Sequence, residues 1–218
     1  MIKVVFFDAE GTFIRFKPSL NGIYKSLWDS YGINLDGDDW GARLRSAYKI
    51  VFQKRLSPPL NGELCKRAWR EVFDLVFGDF KIFPFYEEVF QRAYKLFAAP
   101  ECVEVMPGFT DFLKSVKERE FKTAVISNWD CRLYSVLEGH KLLQEFEALF
   151  LGCEVGYLKP HEAIFKRALN YFGISPEQAL MVGDSLEDDI IPAQKIGMKT
   201  YYIKGEPNYQ EIWEILVN

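Results

Sequence analysis

Apolar residues follow two textures along this chain. Residues 2–7, IKVVFF, form an unbroken β-branched and aromatic run that stops at the polar segment Asp8-Ala9-Glu10-Gly11-Thr12. FKTAVIS (121–127), ALMVG (179–183) and MKTYYI (198–203) repeat that design, halting at Asn128, Asp184 and Lys204, and ALFLG (148–152) is a weaker fifth run. Short runs without polar alternation fit strands buried on both faces, as in a parallel sheet. Between them lie helical stretches: Pro107-Gly108 precedes FTDFLKSVKE, and Pro160 precedes HEAIFKRALNYFG, which ends at Gly173. In the latter, Ile164, Ala168 and Tyr171 recur at spacings of four and three beside Phe165, Leu169 and Phe172, a wide core-facing stripe. Strands alternating with helices predict right-handed crossovers and a Rossmann-like, doubly wound α/β core.

From residue 16 to about residue 99 the β-type runs vanish and only helical periodicity remains. Leu44, Tyr48, Val51 and Phe52 share one face, as do Phe85, Val89, Ala93 and Leu96, with breaks at Gly32, Pro58–Gly62 and Gly78–Pro84. The reading is an all-helical insertion of roughly four helices, giving an α/β core of residues 1–15 and 100–218 and a cap of residues 16–99. Its aromatics, among them Trp69, Phe73, Phe77, Phe85 and Phe90, are expected chiefly as cap core. Because the insertion enters after the first strand, it is expected over the C-terminal strand ends, where open α/β sheets bind ligands, and to act as a lid.

Composition narrows the function. The 218 residues are 49% hydrophobic and 16% aromatic, ample for a packed core, and 27 basic against 31 acidic residues give a net charge of −4 with no basic block. That balance argues against nucleic acid or an anionic membrane as partner and for a small molecule. Asp8 precedes any apolar leader and no ~18-residue apolar run follows, so a cytoplasmic protein is expected. Cys65, Cys102, Cys131 and Cys153 lack any C-x-x-C pairing and are read as buried, reduced thiols. His140 and His161 have no partners at ligand spacing and are read as surface or capping residues.

Four polar clusters sit at or near the ends of hydrophobic runs: Asp8 to Thr12, Ser127-Asn128, Lys159-Pro160, and Gly183-Asp184 with Asp188-Asp189. Parallel strands bring such ends to one edge. Carboxylates gathered there repel one another unless a divalent cation neutralises them, and an all-oxygen set suits Mg²⁺. A metal beside a lysine and hydroxyl donors suits a phosphoryl group better than a carbonyl, and a carboxylate can attack phosphorus to form an acyl phosphate. On the residues alone, the chemistry is metal-assisted phosphoryl transfer.

FFDAEGT, VISNWD, GYLKPHEAIF and MVGDSLEDDI, in this order and at these separations, resemble the four motifs of the haloacid dehalogenase-like (HAD) hydrolase superfamily, in its branch with a helical cap after the first motif. The resemblance covers essentially the whole core; the cap matches in position and helical character only. It implies Asp8 as nucleophile and metal ligand, the backbone carbonyl of Glu10 as a second ligand and Asp184 as the third. It implies Ser127 as the hydroxyl on the transferring group, with Thr12, Asn128 and Lys159 as further phosphate contacts. Lys159 steadies the nucleophile, and Asp189, with Asp188, supplies the second acid of the last motif. Phosphatases of the family usually carry Asp two residues after the nucleophile, as proton donor and then base; here the residue is Glu10, one methylene longer.

The leading expectation is a Mg²⁺-dependent hydrolase of small phosphorylated metabolites, acting as a monomer or homodimer. Two alternatives stand beside it. A 2-haloacid dehalogenase would use Asp8 on carbon without metal, but position 10 lacks the aromatic such enzymes carry. A catalytically silent binding relative is motivated by Glu10 and opposed by the joint presence of Asp8, Lys159 and Asp184.

Overall fold

A computed structural model describes residues 1–217. The chain runs through β1 (Val4–Phe7) and β2 (Ile14–Phe16) into the cap helices α1 (Leu20–Asp29), α2 (Trp40–Tyr48), α3 (Gly62–Phe77) and α4 (Tyr86–Leu96). It returns through β3 (Val103–Val105), α5 (Phe109–Glu118), β4 (Lys122–Ser127), α6 (Arg132–Gly139), β5 (Ala148–Leu151) and α7 (Gly152–Val155). It closes with α8 (Glu162–Phe172), β6 (Ala179–Gly183), α9 (Ile191–Lys195), β7 (Lys199–Tyr202) and α10 (Tyr209–Val217).

Five strands pair in parallel in the order β5-β4-β1-β6-β7, the α/β core that the apolar runs predict, with the weak run at 148–152 forming the edge strand β5. β1 is central, with Phe7 opposite both Val125 of β4 and Val182 of β6. Its alternate side chains serve two cores. Val5 and Phe7 pack with Phe109, Leu113 and Ile212 on one face, and Val4 and Phe6 with Phe165, Ala168 and Met181 on the other. Both faces being buried is why β1 reads as unbroken apolar sequence.

A third cluster lies inside the cap. Trp28, Phe73 and Phe77 are each no more than 2% exposed, and Phe73 and Phe90 meet edge to face at 5.4 Å. Asn61 accepts a hydrogen bond from Leu64 N at 2.9 Å and Asp39 one from Ala42 N at 2.9 Å, so α3 and α2 start on side-chain caps. One element escapes the sequence reading: β2 and β3 pair antiparallel, Ile14 opposite Val105, where the chain leaves and re-enters the core. Three residues on each side carry no periodicity of their own. Among the described residues no helix is long and apolar enough to cross a membrane.

The cysteines are not the four buried, reduced thiols that their spacing suggests. Cys65 of α3 and Cys153 of α7 form a disulfide across 88 residues, while Cys102 and Cys131 remain free. Cys131 is exposed rather than buried. The pairing is made by tertiary contact between cap and core, which no local spacing announces. His161 does cap a helix, its Nδ1 accepting from Ala163 N at 3.1 Å, and half-buried His140 directs Nε2 at the carbonyls of Pro100 and Val103, 3.1 and 3.0 Å away.

Candidate active site

Asp8 follows β1 directly and lies between the ends of its two neighbours, Ser127 at the end of β4 and Asp184 just past β6. The amide of Asp8 donates to Val182 O at 2.9 Å, so the β1–β6 ladder continues through the residue and fixes its direction. Asp8 is 8% exposed, Ser127 4% and Lys159 3%.

Lys159 Nζ donates to Asp8 Oδ1 and to Asp189 Oδ1, each at 2.5 Å. Asp189 is fully buried, and its other oxygen accepts from Ser185 N at 3.0 Å. Burial works against the Lys159 charge, but Asp189 and Asp8 outweigh it and hold the ammonium protonated far above the ordinary lysine range. The lysine is placed by Asn128, whose Oδ1 accepts from Lys159 N at 2.7 Å and whose Nδ2 donates to Lys159 O at 2.9 Å. The Asn128 side chain thus positions Lys159 and still lines the cavity, with one of its two Nδ2 hydrogens on Lys159 O. Asp189 and Asp188 are presented by a π-type turn, Leu186–Ile190, capped by Ser185 Oγ, which accepts from Asp188 N at 3.1 Å.

Asp184 stands on the other side of Asp8. Carboxylate oxygens of Asp8, Asp184 and Asp189 lie within 4.8 Å of one another. The Asp184 carboxyl is pushed up to about 6, first by burial and then by the Asp8 charge, with Lys159 opposing. A negative site strained by its own charge, built of oxygen donors, fits a hard divalent cation. Two glycines make the approach possible: a Cβ on Gly11, whose φ is +80°, would stand 2.1 Å from Asp184 Oδ2, and one on Gly183 would stand 2.4 Å from Asp189 Oδ2. Both Asp189 oxygens are engaged, by Lys159 Nζ and Ser185 N, whereas Asp8 keeps its second oxygen, which leaves Asp8 and Asp184 as the side chains best placed to hold the ion.

Glu10 points into a cavity of about 400 Å³ between core and cap. Cavity-lining residues surround it, although its surface remains accessible to solvent. Its carboxyl is pushed up to about 7, by burial first and then by Asp8 and Asp184, with Arg45 of the cap pulling it down. A carboxyl poised near neutrality can donate a proton and take one back.

Thr12 is not brought to the cavity. It is 1% exposed, does not line the cavity, and its Oγ1 has no hydrogen-bond partner among the described residues. Ser127, Asn128, Lys159, Asp184, Asp188 and Asp189 all line the cavity with Asp8 and Glu10. The sequence reading misses what the cap contributes: Arg45, Tyr48 and Lys49 from α2 and the turn that follows it, and Trp69 from α3. Trp69 packs against the cap core beside Tyr48 and Phe52, as expected, and its ring also meets Arg132 of the α/β core, 5.0 Å from ring centre to guanidinium carbon. The i, i+4 spacing of Arg45 and Lys49 signals a shared face, but not what that face meets.

A family model described as haloacid dehalogenase-like hydrolase matches residues 2–197. The haloacid dehalogenase-like hydrolase domain-containing protein 3 of Bos taurus is 26% identical over 213 residues, spanning 94% of this chain and 82% of its own length. The glyceraldehyde 3-phosphate phosphatase of Pyrococcus furiosus is 35% identical over 108 residues, 45% of this chain and 42% of its own. The magnesium-bound HAD hydrolase YfnB of Bacillus subtilis superposes with a TM-score of 0.80 over 100% of this chain and 99% of its own, at 18% identity, which is a likeness of fold.

Proposed function

The chain belongs to the haloacid dehalogenase-like hydrolases, and from its site we propose that it hydrolyses small phosphate monoesters with Mg²⁺, through transient phosphorylation of Asp8. The observation that carries this is the Lys159 ammonium, 2.5 Å from both Asp8 and Asp189, with Asp184 facing Asp8 from the other side. That arrangement holds Asp8 by one oxygen and leaves the other to act.

In this reading Asp8 attacks phosphorus and the ester oxygen departs with a proton from Glu10. Ser127 Oγ, which accepts from Trp129 N at 3.2 Å, has its own hydrogen free for a phosphoryl oxygen. Glu10, now ionised, takes a proton from the water that attacks the acyl phosphate, so inorganic phosphate leaves and Asp8 is restored. Asp8, Asp184 and the backbone carbonyl of Glu10 would hold the cation, which would supply positive charge to the phosphoryl oxygens. The cap limits the ester to a small one, because it closes the cavity from above with Tyr24, Leu44 and Trp69. Dehalogenation at Asp8 would have no use for Asp184 at cation distance, and a binding protein none for the Lys159 clamp. A panel of phosphorylated metabolites assayed with Mg²⁺ and with chelator tests the proposal; absence of Mg²⁺-dependent phosphate release from every member would overturn it.

Asp184→Asn is expected to weaken Mg²⁺ binding at least tenfold in calorimetry, about 1.4 kcal/mol, and to leave the metal-free fold intact or slightly firmer. The removed charge is one that its neighbours repel. Unchanged Mg²⁺ affinity would place the ion elsewhere.

Glu10 has its own signature. As proton donor it is competent below about 7, so kcat/KM for an alkyl phosphate should fall about tenfold per pH unit above that point. A nitrophenyl phosphate, whose leaving oxygen needs little protonation, should show a shallower limb. Glu10→Ala should cost about 10²- to 10⁴-fold with the alkyl ester and flatten its alkaline limb. An alkaline limb unchanged in Glu10→Ala would assign the proton to another group.

A further inference from the structure

The disulfide joins the two parts of the molecule that must separate for ligand to enter. Cys65 lies in the first turn of α3 in the cap and Cys153 in α7 of the core; they are 0% and 1% exposed. Apart from this bridge, the cap is covalently attached only where the chain enters by β2 and returns by β3, and those strands pair with each other as one ribbon. Two adjacent, paired crossings make a hinge. A body held by a hinge and by one further covalent point loses its swing.

The rest of α3 is seated around the same place. Leu60, just before the helix, donates its amide to Gly156 O at 2.8 Å. Trp69, one turn beyond Cys65, covers Arg132, whose guanidinium is held by Asp130 at 2.7 and 2.9 Å and stacks on Tyr94 of the cap at 4.1 Å. These are non-covalent contacts that a cap can make and break during turnover. The sulfur bridge is the one attachment on this edge that thermal motion does not open. It also lies close in sequence to the machinery, with Cys153 six residues before Lys159.

We propose that Cys65–Cys153 is a redox latch on the cap: oxidised, it pins the cap over the cavity; reduced, it lets the cap swing on the β2–β3 ribbon. The chemical step is thiol–disulfide exchange with a dithiol reductant. The S–S bond takes two electrons and two protons and becomes the thiols of Cys65 and Cys153, while the two thiols of the reductant become its disulfide. Because both sulfurs are buried, attack by a thiolate is slow, so the latch holds its state across many openings rather than cycling with each.

The test needs no substrate and so stands apart from the phosphatase proposal. Full-length protein is prepared oxidised and dithiothreitol-reduced, thiols are counted by alkylation in denaturant, and hydrogen exchange is followed by mass spectrometry. Reduction is expected to add two thiols to the two of Cys102 and Cys131 and to speed exchange at least about tenfold in residues 16–20, 58–66 and 97–103. Exchange in β1, β4 and β6 should be unchanged. Cys65→Ser and Cys153→Ser should each reproduce the reduced pattern without reductant and ignore its addition; should either fail to fold, the reduced native protein gives the same comparison. Four thiols in the unreduced protein would overturn the proposal. So would identical exchange in the two states, and so would loss of protection throughout the core on reduction, which would make the bridge a staple of the whole fold.

Discussion

Asp8→Asn is expected to lower phosphate-ester turnover by roughly 10⁴- to 10⁶-fold, the scale of loss when a covalent nucleophile is removed. The reason is electronic, since the amide is nearly isosteric with the carboxylate. The substituted side chain keeps an oxygen for Lys159 Nζ, which stands 2.5 Å from Asp8 Oδ1 in the native site, and the backbone bond to Val182 O is untouched, so the site keeps its shape. What disappears is the anionic oxygen that attacks phosphorus. Acid quenching of the native enzyme during turnover should trap protein heavier by one phosphoryl group, with the label on the peptide containing Asp8 and none in the variant. A variant that turns over at a comparable rate would place the nucleophile elsewhere. A native enzyme that turns over but never accumulates or exchanges label at Asp8 would instead favour direct attack by water.

The parts of this site that can be read from sequence are those a strand delivers. β1, β4 and β6 are buried on both faces, so each appears as an apolar run, and the residue on which it ends, Asp8, Ser127 or Asp184, is thereby located at the sheet edge. Lys159 and Asp189 can be noticed as polar residues near the ends of such runs, but neither terminates a strand, and their roles are legible only through the resemblance of their surroundings to a family. What stays hidden depends on contacts between distant segments. That the Asn128 amide also bonds both backbone groups of Lys159, 31 residues away, is one such contact. Thr12 reads as a hydroxyl of the site until its side chain is found packed inward. The cap residues Arg45, Tyr48 and Lys49 share one side of a helix by spacing, but periodicity separates inside from outside without saying which outside faces the core. The β2–β3 ribbon and the Cys65–Cys153 bridge link positions 89 and 88 apart, and neither leaves a local trace.

Lys159→Met is expected to cost about 3–5 kcal/mol of stability near neutral pH, because it leaves buried carboxylates without their counter-charge. In a chain of this size that is a fall of very roughly 6–20 °C in Tm. Methionine fills most of the volume, so the loss is electrostatic. Asp189 is fully buried, with one oxygen on Lys159 Nζ and the other on Ser185 N, and Asp8 shares the same ammonium. Burial already raises the Asp189 carboxyl and Lys159 opposes it, so without the lysine Asp189 binds a proton still more readily in the folded than in the unfolded chain. The folded state is then the one that gains protons as pH falls, so the deficit of the variant against native protein should be largest above pH 7 and shrink toward pH 4. Asp189→Asn in the same chain should restore part of the loss, giving a coupling of about 0.5–3 kcal/mol between the two positions. Melting in chelator, across pH 4 to 8, for native protein, both single variants and the double variant, decides the matter. Additive losses with no pH dependence would show that Lys159 stabilises by packing alone.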